Sequence, residues 1–257
     1  MARTTGHAGV RPIVVVEVEY RHRLRHGAAA CGLEGHPVGQ APRLIRRAFC
    51  PNVNRPRMEL ANVSAMMMDD PALIYTRAYY ADAYEATLVA ARLALPAVFE
   101  ALGWPQYLVD VGCGSGAWCD AAVALGVPDV TGIDGWWAQP EHPTRWRFMA
   151  MDLRCPAIPP DVQGFDLALC LEVGEHLPEA CAAGLLRFCC ALARHVAWSA
   201  APPGQESLGH VNMQPRDWWA TRFAAQGYEE RSISLPDDER IPFWYRRNLI
   251  GFLNPQQ

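Results

Sequence analysis

The stretch Tyr107-Leu108-Val109-Asp110-Val111-Gly112-Cys113-Gly114-Ser115-Gly116 decides the fold. A short β-like apolar run breaks into alternating glycines, and residues 117–125 then carry a helical pattern closed by Gly126 and Pro128. A glycine turn lets backbone approach a ligand closely, and the helix start that follows offers unpaired N–H groups to an anion. Strand, glycine loop and helix together therefore mark a ligand-binding turn.

The alternation continues on both sides. Upstream, residues 71–102 carry a helical stripe at Leu88, Ala91, Leu95, Val98, Phe99 and Leu102, interrupted at Pro96 and stopped by Gly103 and Pro105. Downstream, residues 130–134 predict a second strand ending in Asp134, residues 147–152 a third, and the apolar run 165–170 a strand buried on both faces. A helix is expected over 178–192, with Arg194 and His195 at its negative end. A fifth strand over 195–199, a helix over 215–226 ended by Gly227, and a last strand over 249–253 complete the pattern. Strands alternating with helices predict an α/β fold, a mostly parallel sheet with helices on both faces.

A chain of 257 residues, 51% hydrophobic and 19% charged, suits one large or two small globular domains. All 23 of its Lys+Arg cations are Arg. The absence of Lys excludes the Walker phosphate lysine, a Schiff-base lysine and the strand lysine of protein kinases. Residues 1–57 hold ten Arg and three acids, a balance of +7, against −11 for the rest, which sums to the net −4. This divides the chain into a basic, weakly ordered extension (1–57) and a catalytic domain (58–257), with Met58 a conceivable later start. Clustered cations can attract nucleic acid, yet no aromatics interleave them as base stacking requires. Nine Cys without a C-x-x-C pair predict thiols in a reducing compartment rather than a zinc knuckle. No apolar run approaches the ~18 residues of a membrane span, so the chain is expected to be soluble and cytoplasmic.

Gly112-Cys113-Gly114-Ser115-Gly116-Ala117 satisfies the dinucleotide fingerprint, and Asp134 stands where an acid binds ribose hydroxyls, so NAD is open on these residues. Asp110 before the loop suits a ligand with an ammonium group, and Asp152 after the third strand suits an adenine amino group. With these acids the chain resembles the class I S-adenosylmethionine-dependent methyltransferases: residues 109–116 match their first motif, Asp134 their ribose acid and Asp152 their adenine-side acid. That resemblance implies a Rossmann-like, seven-stranded sheet and S-adenosyl-L-methionine held by Asp110, Gly112, Gly114, Gly116, Asp134 and Asp152. Residues 171–178, 198–205, 209–214 and 244–249 further resemble a branch of bacterial and phage methyltransferases placed near glycan-modification functions. Two plainer roles stay open: Asp134 as a turn residue and Asp152 as a helix cap.

Methyl transfer from a sulfonium is an in-line displacement, in which alignment alone is worth roughly 7–11 kcal/mol and a base helps a hydroxyl acceptor. Glu172, Glu175 and His176 follow the fourth strand, and His210 the fifth, at the sheet edge where ligands bind. They support three readings: an ordering hydrogen-bond network, a catalytic base at His176 or His210 assisted by Glu175, or a divalent-metal site of Glu172, Glu175, His176 and His210. The Glu-x-x-Glu-His spacing resembles that of metal-using ubiquinone-pathway and small-RNA 2′-O-methyltransferases. Asn212 and Gln214 are candidates for bonding the acceptor. The pairs Trp136-Trp137, Trp218-Trp219 and Trp244-Tyr245 are candidates for a stacking wall, and Tyr75, Tyr79, Tyr80 and Tyr84 for a lid. The expected reaction is methylation of a small acceptor, a hydroxyl of a sugar or natural-product scaffold. The rivals are an NAD-dependent oxidoreductase and a non-catalytic scaffold associated with nucleic acid.

Overall fold

In the computed structural model, which describes residues 75, 77–140, 144–159 and 162–256, the glycine turn connects β1 (Tyr107–Val111) to α2 (Ala117–Ala124), after a long helix α1 (Arg77–Leu102). The chain continues through β2 (Asp129–Asp134), β3 (Arg147–Ala150), β4 (Phe165–Leu171), α3 (Glu179–Leu192), β5 (Ala193–Ser199), α4 (Arg216–Ala224), β6 (Glu229–Arg231), α5 (Phe243–Asn248) and β7 (Ile250–Leu253). The basic stretch 1–57, the start at Met58 and the side chain of Tyr79 lie outside the described residues.

The strands form one sheet in the order β3-β2-β1-β4-β5-β7-β6. Pairings from β3 to β5 are parallel, and β7 runs antiparallel to β5 and β6. This is a Rossmann-like, mostly parallel sheet of seven strands among the described residues. Chain order reverses between β1 and β4, which opens a crevice at their carboxyl ends, the place where doubly wound sheets take ligands.

Period-two alternation splits the strand side chains between two cores. Leu108, Leu167, Leu169 and Ala197 face α1 and α2. Val109, Val111, Ala168, Cys170, Val196 and Trp198 face α3 and α4. Helices therefore cover both faces. Cys113, Cys119, Cys170 and Cys189 are buried thiols. No helix among the described residues is long and apolar enough to cross a membrane.

Three expectations need correction. Pro96 does not interrupt α1, which runs unbroken from Arg77 to Leu102 with Pro96 inside it. Proline removes one helical N–H there, but Ala94, Leu95, Val98 and Phe99 around it are fully buried and hold the axis. The third strand ends at Ala150, two residues short of Asp152. The fifth begins at Ala193, directly from α3, so Arg194 and His195 belong to a strand rather than a helix end.

Candidate functional site

A cavity of about 590 Å³ lies at the crevice. Gly112, Gly114 and Gly116 have φ of 83°, 51° and 78°, the left-handed region that glycine enters without strain. Gly112 and Gly114 line the cavity and Gly116 does not. A Cβ on Gly116 would lie 2.1 Å from Trp146 Cζ2, so this glycine serves packing behind the loop.

Asp134, at the end of β2, lines the cavity. Its Oδ2 accepts the Gly114 N–H at 2.8 Å and its Oδ1 the Gly135 N–H at 2.6 Å. Burial pushes its pKa up to about 6 against the pull of those two donors. The turn-residue role is thus met, by the bond to Gly135, while the bond to Gly114 ties the acid to the glycine loop. Asp110 is 2% exposed, does not line the cavity and receives the Cys119 thiol at 3.7 Å. Burial raises its pKa to about 7. Asp152 lines the cavity with its side chain half exposed and caps no helix. Arg154 grips it through Nε at 2.9 Å, Nη2 at 2.7 Å and backbone N–H at 2.9 Å, holding the carboxyl below its ordinary range.

Across the cavity, Glu172 follows β4 in the left-handed region (φ 56°), where a non-glycine side chain is strained. A single helical turn, Gly174–His176, follows. Glu175 is fully buried: Oε1 accepts the Ala201 N–H at 3.1 Å, and its backbone carbonyl accepts the N–H groups of Val211 and Asn212 at 2.8 and 3.0 Å. These bonds fasten the loop after β5 to the turn after β4, which brings His210 to His176, ring centroids 4.7 Å apart. One ligand atom each from Glu175, His176 and His210 fall within 4.8 Å of one another. Glu172, expected in the same set, is not part of that group.

His210 Nδ1 lies 2.7 Å from the Gln205 carbonyl and His176 Nδ1 3.2 Å from the Gly209 carbonyl. A carbonyl accepts only, so the 2.7 Å contact assigns the His210 ring proton to Nδ1 and leaves its Nε2 with the lone pair. Tyr75 Oη stands 2.7 Å from His176 Nδ1 as well. Burial, then His210, depresses His176 to about 4, and burial lowers His210, so both rings are neutral near pH 7. Burial, reinforced by Glu172, holds Glu175 well above the usual carboxylate range, and burial raises Glu172 too. Glu172 Oε1 and Glu175 Oε2 are buried oxygens without hydrogen-bond partners.

Other candidates separate by role. Asn212 donates to the Gly174 carbonyl at 3.1 Å and Gln214 to Asn212 at 3.0 Å, so both amides order the loop. Trp137, Trp244 and Tyr245 line the cavity, Trp219 packs in the core, and Trp136 is exposed. Tyr75 and Tyr80 line it as a lid would, whereas Tyr84 donates to Asp120 at 2.8 Å. Arg154, Leu208 and Phe243 also line it. Nothing in the sequence pattern pointed to Leu208; Pro242 as a helix-start signal was the available sign for Phe243.

A methyltransferase from Burkholderia thailandensis, solved with 1,6-didemethyltoxoflavin and S-adenosylhomocysteine, superposes with a TM-score of 0.50 at 18% identity, over 78% of this chain and 91% of that one. The chain has the class I methyltransferase fold. The methyltransferase domain of a bacterial Hen1 aligns at 21% identity over 65% of this chain and 99% of that one, TM-score 0.47. The magnesium protoporphyrin IX methyltransferase of Synechocystis, with bound S-adenosylhomocysteine, aligns at 19% over 58% and 73%, TM-score 0.43. No protein-family model and no curated protein sequence matches the chain.

Proposed function

We propose that this chain transfers a methyl group from S-adenosylmethionine to a hydroxyl of a small molecule, with residues 58–257 as the catalytic unit. The observation that carries the reading is Asp134: an acid bonded to the bare N–H of Gly114, facing a cavity of about 590 Å³, a volume usual for small-molecule sites. The residues present fit the cofactor. Gly112 and Gly114 put no side chain between the loop and the cofactor, Asp134 accepts from ribose hydroxyls, and Asp152 accepts from the adenine amino group. Asp110, behind the loop, acts through the loop rather than on the ligand.

The cofactor, when bound, supplies an electrophilic methyl on sulfur. The chain aligns the acceptor with it and excludes water. The hydroxyl proton of the acceptor would go to a ring-nitrogen lone pair of His176 or His210, both neutral and therefore able to accept it. The lid residue Tyr75 and the Gly209 and Gln205 carbonyls fix the ring orientations.

The three convergent ligand atoms and the partnerless Glu175 Oε2 favour a second reading, in which Glu175, His176 and His210 hold a divalent ion that acidifies the acceptor hydroxyl. The carbonyl bonds at each Nδ1 are the outer contacts such histidine ligands use. Calorimetry with S-adenosylhomocysteine tests the cofactor assignment; metal content of the purified protein, with titration of Mn²⁺ into wild type and Glu175→Gln, separates the two catalytic readings.

A further inference from the structure

The acceptor end of the cavity is bounded by the loop carrying Gln205 to His210 and by α5. Asn248 Nδ2 donates to Gln205 Oε1 at 3.2 Å, which joins these two walls. Large apolar side chains stand open on both: Leu208 is 48% exposed and Phe243 55%, and both line the cavity. Trp244, half-buried, continues the same wall, its ring meeting Phe243 edge-on with centroids 5.3 Å apart. Exposed apolar side chains at the mouth of a cavity mark a surface that a ligand covers.

Charge and hydrogen bonding decide what that ligand is. Among the described residues the cavity is lined by the carboxylates of Asp134, Asp152, Glu172 and Glu206 against one guanidinium, Arg154, which Asp152 already holds. No basic cluster is therefore present to offset the desolvation of a phosphate. A sugar would bring several hydroxyls, each needing a partner once buried. The amides near the histidines are engaged: Gln205 by Asn248, Asn212 by Gly174 and Gln214 by Asn212. Apart from the Ser207 hydroxyl and the acids already named, the walls offer ring faces, aliphatic surface and two imidazoles, and the large side chains that stand open on them are apolar.

We infer that the acceptor is an uncharged, flat, largely apolar ring compound carrying a hydroxyl, with Leu208 and Phe243 gripping the ring and setting specificity against sugars and phosphorylated acceptors. This rests on the methyl-transfer reading for its reaction, but selects within the acceptors that reading admits. The ring lies between Leu208 and Phe243, and its hydroxyl points at His176 and His210.

Titration calorimetry on the full chain tests it in two stages. S-adenosylhomocysteine is titrated first; on the saturated protein, 2-naphthol, 2-naphthyl phosphate and methyl glucoside are then compared as probes. The expected result is binding of 2-naphthol at least about tenfold tighter than either other probe. Phe243→Ser and Leu208→Ser, both at exposed positions, should each weaken 2-naphthol about tenfold while leaving the S-adenosylhomocysteine Kd and the melting temperature unchanged. S-adenosylhomocysteine binding with no preference for 2-naphthol, or equal 2-naphthol affinity in the two variants, overturns the acceptor inference alone. Failure of S-adenosylhomocysteine to bind overturns the methyl-transfer reading beneath it.

Discussion

Replacing Asp134 by Asn keeps the shape of the side chain and removes its charge, which separates its binding role from its structural one. The carboxylate accepts two backbone N–H groups, from Gly114 at 2.8 Å and Gly135 at 2.6 Å. An Asn oxygen can keep one, but its NH₂ then faces the other donor, and a buried unsatisfied N–H costs about 1–3 kcal/mol. Against this, burial has moved the acid from its ordinary 3.8 to about 6, a penalty on the ionised fold of about 3 kcal/mol at neutral pH. The folded chain thus binds the Asp134 proton more tightly than the unfolded chain, so the share of stability linked to it is present below pH 3.8 and is lost as pH rises through about 6. The two effects of Asp134→Asn oppose each other and leave at most about 2 kcal/mol, so the melting temperature should stay within about 8 °C of wild type at neutral pH. Cofactor binding has no such compensation. Losing a charged acceptor for ribose hydroxyls, worth about 1.5–3 kcal/mol, should weaken S-adenosylhomocysteine about ten- to hundredfold. Calorimetry and thermal unfolding read the two quantities side by side. Wild-type affinity should also fall as pH drops below about 6, and the variant should lack that dependence. Unchanged affinity in Asp134→Asn would refute the ribose assignment, and a large melting shift without an affinity change would make Asp134 a loop fastener only.

Gly116→Ala should lower the melting temperature by about 6–12 °C, from about 3 kcal/mol of overpacking and left-handed strain, since its Cβ would meet Trp146 at 2.1 Å with φ at 78°; a neutral effect in a melting curve would contradict the packing role. His176→Ala and His210→Ala should each lower turnover by about 10²–10⁴-fold with S-adenosylhomocysteine affinity kept within about twofold, and full activity in both would reduce the pair to a hydrogen-bond network. Under the metal reading, chelation should suppress turnover and Mn²⁺ should restore it; activity indifferent to both leaves the imidazole base. Tyr75→Phe removes the contact of 2.7 Å to His176 and should reduce turnover severalfold without a measurable melting shift, whereas an unaltered rate would make Tyr75 a bystander.

The fold was legible where side-chain period and glycine signals agreed. β1, its glycine turn and α2 combine an apolar run with three glycines in the left-handed region, and β4 is apolar at every position but Asp166. β6 escaped because Glu229, Glu230 and Arg231 are all exposed and carry no apolar alternation. α5 is six residues long, too short for a helical period, and its aromatics split between core and cavity. In the site, Asp134, Glu175, His176 and His210 were readable from position along strand ends. Local sequence does not show that Glu175 binds the loop after β5 through its own carbonyl, which is a contact across 36 and 37 residues to Val211 and Asn212. Nor does it show that Arg154 pairs with Asp152, or that Asp110 is buried and does not line the cavity. Those outcomes depend on which face of a turn is buried, a property of the packed sheet.

Parallel calorimetric titrations of the full chain with S-adenosylhomocysteine and with NAD test the central claim most directly, because the glycine loop alone accommodates either. Saturable one-to-one binding of S-adenosylhomocysteine and none of NAD is the predicted result. Binding of NAD without S-adenosylhomocysteine would contradict it.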